Sequence, residues 1–135
     1  MSQQHRSGLA RWKKWSEYEF AITDSRDGFF LGGCGLNHIN RAHQIANLGY
    51  WARSSQTKQD VATAAVLLVA QFGFDELKLR RIEIVAAINN KASQRVAEKA
   101  GATREGILRN RLVVRDKVYD AVMFSLIPGD LTSNS

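Results

Sequence analysis

The chain has 135 residues, 44% hydrophobic and 24% charged, which is the composition of one ordinary soluble domain. A chain of this length buries enough surface to do without staples. Its single cysteine, Cys34, excludes an intramolecular disulfide, and His5, His38 and His43 lack ligand spacing, so no metal is expected. Nineteen Lys and Arg against thirteen Asp and Glu leave a net charge of +6, which favours a polyanionic partner: a nucleotide cofactor, RNA or an acidic surface. The amino terminus, MSQQHRSGLARWKK, has no apolar core of signal-peptide length, and no stretch reaches a membrane span, so a cytoplasmic protein is expected.

Leu9, Trp12 and Trp15 fall at i, i+3 and i+6 and predict a short amphipathic helix over Leu9 to Tyr18. YEFAIT alternates as a strand over Tyr18 to Thr23, and DSRDG turns the chain over Asp24 to Gly28. Phe29 to Ile39 reads as a glycine-rich second strand and Gln44 to Arg53 as a third, giving an antiparallel meander. Val61, Ala65, Leu68, Val69 and Phe72 mark one helical face, with Asp60 at its expected N-cap. Arg81 to Ile88 is strand-like, Lys91 to Ala100 a second helix ending at Gly101, and Ala102 to Leu108 and Val118 to Ile127 two further strands. A basic loop holding Arg109, Arg111, Arg115 and Lys117 joins them, and the tail from Pro128 is polar and frayed. The fold class is α/β: one mixed, mostly antiparallel sheet flanked by helices, in a single domain over 1–128 with a flexible tail over 129–135. The unit from Gln44 to Ile88 predicts two parallel neighbours with a right-handed crossover.

Two segments carry candidate chemistry. Ser54 to Ala62 joins a strand end to a helix start, where unpartnered amides and the helix dipole attract anions, and Lys58 adds a cation. An ordinary surface loop fits the same residues. Asn90-Lys91-Ala92-Ser93 follows the fourth strand, and Asn90 and Ser93 there read equally as helix-capping residues. Cys34 reads as a small buried hydrophobe. The basic clusters read as a solvated face, with phosphate, acidic-substrate or RNA binding as alternatives. No aromatic residues interleave with them, so nucleic acid is not expected as a partner.

The stretches YEFAITD, GGCGLNHIN, ANLGYWARSSQT, VATAAVLLVAQFGF, LRRIEIVAAINNKASQRVAEKAGATREGILR and VYDAVMFSL, in this order, resemble the GNAT superfamily of N-acetyltransferases, and within it the RimJ/RimL-like branch acting on ribosomal proteins. The resemblance covers roughly Tyr18 to Leu126. It implies acetyl transfer from acetyl-CoA, a co-substrate, to a primary amine, either a protein N-terminus or a small molecule. Two parallel strands, here Gln44–Arg53 and Arg81–Ile88, would splay to admit the pantetheine arm. Backbone groups over Tyr50, Trp51, Ala52 and Arg53 would pair with its amides. The amides of Thr57, Lys58, Gln59, Asp60, Val61 and Ala62 would hold the pyrophosphate. Asn90 matches the asparagine that contacts the cofactor arm, and Ser93 the serine that protonates the leaving thiolate. A neutral amine would attack the thioester directly, with a strand N–H near Trp51 stabilising the oxyanion.

Three features depart from that pattern. The phosphate loop ends in Lys58-Gln59-Asp60 where relatives have a G-x-G or G-x-A pair. Asp60 either caps the amides meant for the pyrophosphate or turns out into solvent. Asn47 stands at a catalytic position where many relatives carry a glutamate base, leaving water or a distant Glu105. The family's first strand and first helix, expected before Leu9, are missing, which would leave Tyr18–Thr23 as an exposed edge and favour a homodimer across it. These departures motivate an alternative function: a catalytically impaired relative that binds a CoA species or a protein partner without turnover.

Overall fold

Among the described residues seven strands form one sheet, with the sixth strand in the chain at its edge and the seventh between the fifth and the sixth. The computed structural model describes residues 9–12, 18–23, 30–52 and 59–132. In chain order these hold β1 (Leu9–Trp12), β2 (Tyr18–Thr23), β3 (Phe30–Asn40), β4 (Ile45–Ala52), α1 (Gln59–Asp75), β5 (Arg81–Ala87), α2 (Lys91–Lys99), β6 (Thr103–Val114), β7 (Lys117–Leu126) and α3 (Pro128–Thr132). β4 and β5 run parallel, joined through α1. Every other neighbouring pair is antiparallel.

The two-residue period of the strands decides which face is covered. Leu48 of β4, Ile82 and Ile84 of β5, and Val122, Phe124 and Leu126 of β7 are all fully buried against Val66 and Val69 of α1 or within one cluster with them. Tyr18 and Phe20 of β2 meet Phe72 of α1 at ring-centroid distances of 5.3 and 5.7 Å. Burial of each large side chain contributes about 1.5–3 kcal/mol, so this one layer supplies most of the driving force.

Several expectations are corrected. Leu9–Trp12 is a strand, not the start of a helix, and pairs Leu9 with Ile22 and Trp12 with Glu19. The i, i+3, i+6 spacing rested on three residues, and the open backbone edge of β2 overrides so weak a signal. Tyr18–Thr23 is therefore not an exposed edge, and the argument for a homodimer across it falls. Trp15 and the Asp24–Gly28 turn lie outside the described residues. The basic loop is not a loop: Arg109 and Arg111 belong to β6, and only Arg115 and Asp116 make the turn, both at positive φ. Two such residues give the twist that suits a tight hairpin. Pro128–Thr132 forms a helical turn where a frayed tail was expected. Pro128 presets φ at its start, and the Asp130 carboxylate accepts a hydrogen bond from the Ile127 amide at 2.9 Å.

Candidate functional site

β4 and β5 are hydrogen-bonded neighbours only where Ile45, Ala46 and Asn47 pair with Arg81, Ile82 and Glu83. Beyond that rung β4 continues to Ala52, in register with β3 from Leu48↔Leu36 to Ala52↔Gly32. β5 continues to Ala87, in register with β7 through Ala87↔Ala121. Each strand thus keeps its outer partner and gives up the inner one. The result is a fork, closed at Asn47 and Glu83 and open toward the carboxyl ends. Its inner lips run along Leu48–Tyr50 and Ile84–Ala86, where among the described residues neither strand faces another strand across the gap, as at a sheet edge.

A helix follows each prong in the chain, α1 after β4 and α2 after β5. α1 begins at Gln59, so Asp60 lies in its first turn and is not the N-cap expected from the sequence. The Asp60 carboxylate points outward, is almost wholly exposed, and takes a 2.8 Å ion pair from Lys99 of α2. That contact holds the acid below its ordinary range, the Lys99 hydrogen bond being the larger cause. Of the two conformations left open by the sequence, the structure adopts the outward one. Ala62 is buried and Val61 packs against the core, so each leaves only its backbone amide for an anion. Arg53, Thr57 and Lys58 lie outside the described residues, and Ala52 and Gln59 are placed by their backbones alone.

α2 starts with Asn90 as its N-cap, the side-chain oxygen accepting from the Ser93 amide at 3.0 Å. Capping, one of the two readings of this segment, is therefore realised. Ser93 faces β4. Tyr50 donates its hydroxyl proton to the Ser93 carbonyl at 2.6 Å, and the Ser93 hydroxyl donates to the Tyr50 oxygen at 3.2 Å. Burial pushes the Tyr50 phenol up to about 12, the Ser93 hydrogen bond acting slightly the other way. Asn47 sits at the closed end of the fork, its amide donating to Asn37 at 3.0 Å, and that side chain has no ionisable group with which to act as a base. Trp51 is partly exposed on the opposite face from Tyr50, with its indole over Gly33 of β3. A Cβ at Gly33 would meet the Trp51 Nε1 at 2.8 Å, so glycine is what lets the ring lie flat.

Two features escaped the sequence reading, and a third residue, Glu105, takes another role. Gln94 is buried, and its amide donates to the carbonyls of Ala87 and Ile88 at 3.0 Å each, tying the end of β5 to α2. Its only signal was a polar residue in a first helical turn. Glu19 is buried on the face away from the helices, in a row with Gly35 of β3 and Gly49 of β4. Glu105 was a possible distant base. It is instead held by Arg81 through two hydrogen bonds of 2.9 and 2.8 Å and by Ser125 at 2.6 Å, at the closed end of the fork. Those bonds, Arg81 first, hold its carboxyl down at about 2, so it neither reaches the mouth nor takes a proton near neutral pH. Buried Cys34 has its thiol pushed up by desolvation, as expected of a packing residue.

A splayed parallel pair with a capped Asn-x-x-Ser turn following one prong makes an opening suited to a long, amide-bearing ligand. The profile of the acetyltransferase (GNAT) domain matches residues 2–103. The chain belongs to this family. It is 36% identical over 121 residues to YjcK of Bacillus subtilis, named a probable N-acetyltransferase, covering 89% of this chain and 67% of that one. To YdaF of the same organism, which carries a ribosomal N-acetyltransferase name, it is 33% identical, covering 75% of this chain and 55% of that one. Among solved structures, one described as a ribosomal-protein-serine acetyltransferase of Vibrio cholerae superposes with a TM-score of 0.75 at 31% identity, covering 82% of this chain and 64% of its own. The chain thus spans between about half and two-thirds of these GNAT relatives.

Proposed function

We propose that this GNAT domain transfers an acetyl group from acetyl-CoA to a primary amine, and that the amine is a protein N-terminus. The single observation that carries the first part is the fork. Its diverging lips match an extended pantetheine arm, whose amides would add to β4 as a strand adds to an edge. The α1 amides would hold the pyrophosphate, and the outward turn of Asp60 leaves them open to it. That turn also removes one motive for reading the chain as an impaired relative. The choice of a protein N-terminus is supported by the ribosomal-protein names of YdaF and of the Vibrio cholerae structure. Such an enzyme works in the cytoplasm.

The chain's own residues bring three effects to the reaction. The lips align the thioester so that an amine approaches its carbonyl along a fixed direction. A backbone N–H of β4 near Trp51 stabilises the oxyanion as the C–N bond forms. Ser93 then gives its hydroxyl proton to the sulfur as the C–S bond breaks, and regains one through water from the attacking amine. Asn47 takes no proton, so the amine loses its own to solvent.

Isothermal calorimetry with acetyl-CoA tests the reading. A dissociation constant on the order of 1 μM to 1 mM is expected, with thiol release once a peptide bearing a free N-terminal Ser or Ala is added. No heat of binding at millimolar acetyl-CoA overturns the proposal. Binding without release over peptides, spermidine and free amino acids transfers support to the non-catalytic reading.

A further inference from the structure

Tyr50 and Ser93 lie 43 positions apart, on β4 and on the helix that follows β5. Their contact therefore links the two prongs of the fork at its open end. The proton count at this contact is specific. Tyr50 has one hydroxyl proton and commits it to the Ser93 carbonyl through the 2.6 Å bond. Its oxygen can then only accept from Ser93. The Ser93 hydroxyl has one proton as well, and it is directed at that oxygen over 3.2 Å, a long bond for two hydroxyls. Ser93 is thus held as a donor by an acceptor that binds it loosely.

We propose that Tyr50 is a positioning residue for Ser93, holding the serine hydroxyl as an oriented, weakly tethered donor beside the fork. This rests on the acetyl-transfer reading above. The phenol is buried and stays neutral near pH 7, so it does not compete for the serine proton. A thiolate leaving the acetyl carbon is the stronger acceptor, and the serine O–H swings from Tyr50 to it. The O–H bond of Ser93 breaks and the S–H bond forms. Tyr50 keeps its own proton throughout, and its bond to the Ser93 carbonyl keeps the first turn of α2 in place during the swing.

The test is a double-mutant cycle read by steady-state thiol release. Tyr50→Phe keeps the ring and removes only the oxygen. It should lower kcat about 10-fold while the KM for acetyl-CoA stays within about 2-fold, because the loss falls on proton transfer. Ser93→Ala should lower kcat by about 100-fold. The double variant should be slower than Ser93→Ala alone by much less than the 10-fold seen in wild type, since the proton-transfer effect of Tyr50 passes through that hydroxyl and only its bond to the Ser93 carbonyl remains to be lost. A strut without this role would slow both backgrounds by the same factor, and that multiplicative result overturns the inference, as does a Tyr50→Phe kcat equal to wild type. Should Tyr50→Phe not fold, 3-fluorotyrosine at position 50 preserves the shape and weakens the accepting oxygen, and an unchanged kcat is the overturning result. A wild-type protein that binds no acetyl-CoA fails the acetyl-transfer reading itself, which is separable from a failure of the cycle.

Discussion

Arg81 binds two carboxylates, Glu83 at 2.8 Å and Glu105 through a two-point contact, and so clamps the outer strand β6 to β5 at the closed end of the fork. The Glu105 carboxyl is held at about 2 against an ordinary 4.5. A depressed carboxylate adds stability above its unfolded value, and that stability disappears as pH falls through the folded value. Because Glu105 is more than a third exposed, solvent screening leaves the contribution at no more than about 1 kcal/mol. Urea unfolding should therefore show wild type above Glu105→Gln by up to about that amount at pH 7, with the gap closing between pH 4.5 and 2. A gap that persists at pH 2 would mean that packing, not charge, carries it. At this scale the sequence was legible in part. Asn90 and Ser93 announced a helix start through their spacing. The Arg81–Glu105 clamp, 24 residues apart, and the Tyr50–Ser93 contact had no local signature, because the partners meet only when the sheet closes.

α1 shows how an element's charge balance depends on its neighbour. An acid in the first turn of a helix is ordinarily favourable, and the position of Asp60 alone suggested a cap competing with a bound phosphate. Lys99 draws the carboxylate aside, so the amides and the acid no longer meet. The acid still lies in the field of that terminus. Asp60→Asn should raise acetyl-CoA affinity about two- to five-fold at low salt, with the gain fading toward 0.5 M salt as the Debye length shrinks. Calorimetry across a salt series checks this; a weaker-binding variant would mean that the Asp60–Lys99 pair holds α1 in place for the ligand. The strands and helices with long, regular apolar patterns, β2, β5 and α1, could be read directly. β1 could not, since a four-residue segment takes the structure that its neighbour's free edge requires. The length of β6 also escaped, because its outer half is stabilised by pairing with β7 and not by an apolar stripe of its own.

The whole sheet behaves as two subsheets joined at three residue pairs, β1 to β4 on one side and β5 to β7 on the other. Amides facing the gap, within Leu48–Tyr50 and Ile84–Ala86, have no strand opposite them among the described residues and should exchange with solvent faster than those facing β3 and β7. Saturating acetyl-CoA should slow exchange across Leu48–Tyr50 by at least about 10-fold, leaving the β3-facing amides unchanged. Hydrogen-exchange mass spectrometry with fragment resolution measures it. Equal protection on both sides without ligand would mean that the fork closes in solution.

Hydrophobic periodicity and turn residues were enough to specify a mixed, mostly antiparallel sheet flanked by helices, and the ordered motifs from Tyr18 to Leu126 were enough to place the chain among the GNAT domains. These are local or near-local signals, readable wherever burial repeats with the period of the element. The divergence of β4 from β5, the outward swing of Asp60 and the proton arrangement between Tyr50 and Ser93 arise from contacts across the fold. Each is settled by how competing partners share one donor or one edge, and that competition exists only once distant segments are brought side by side.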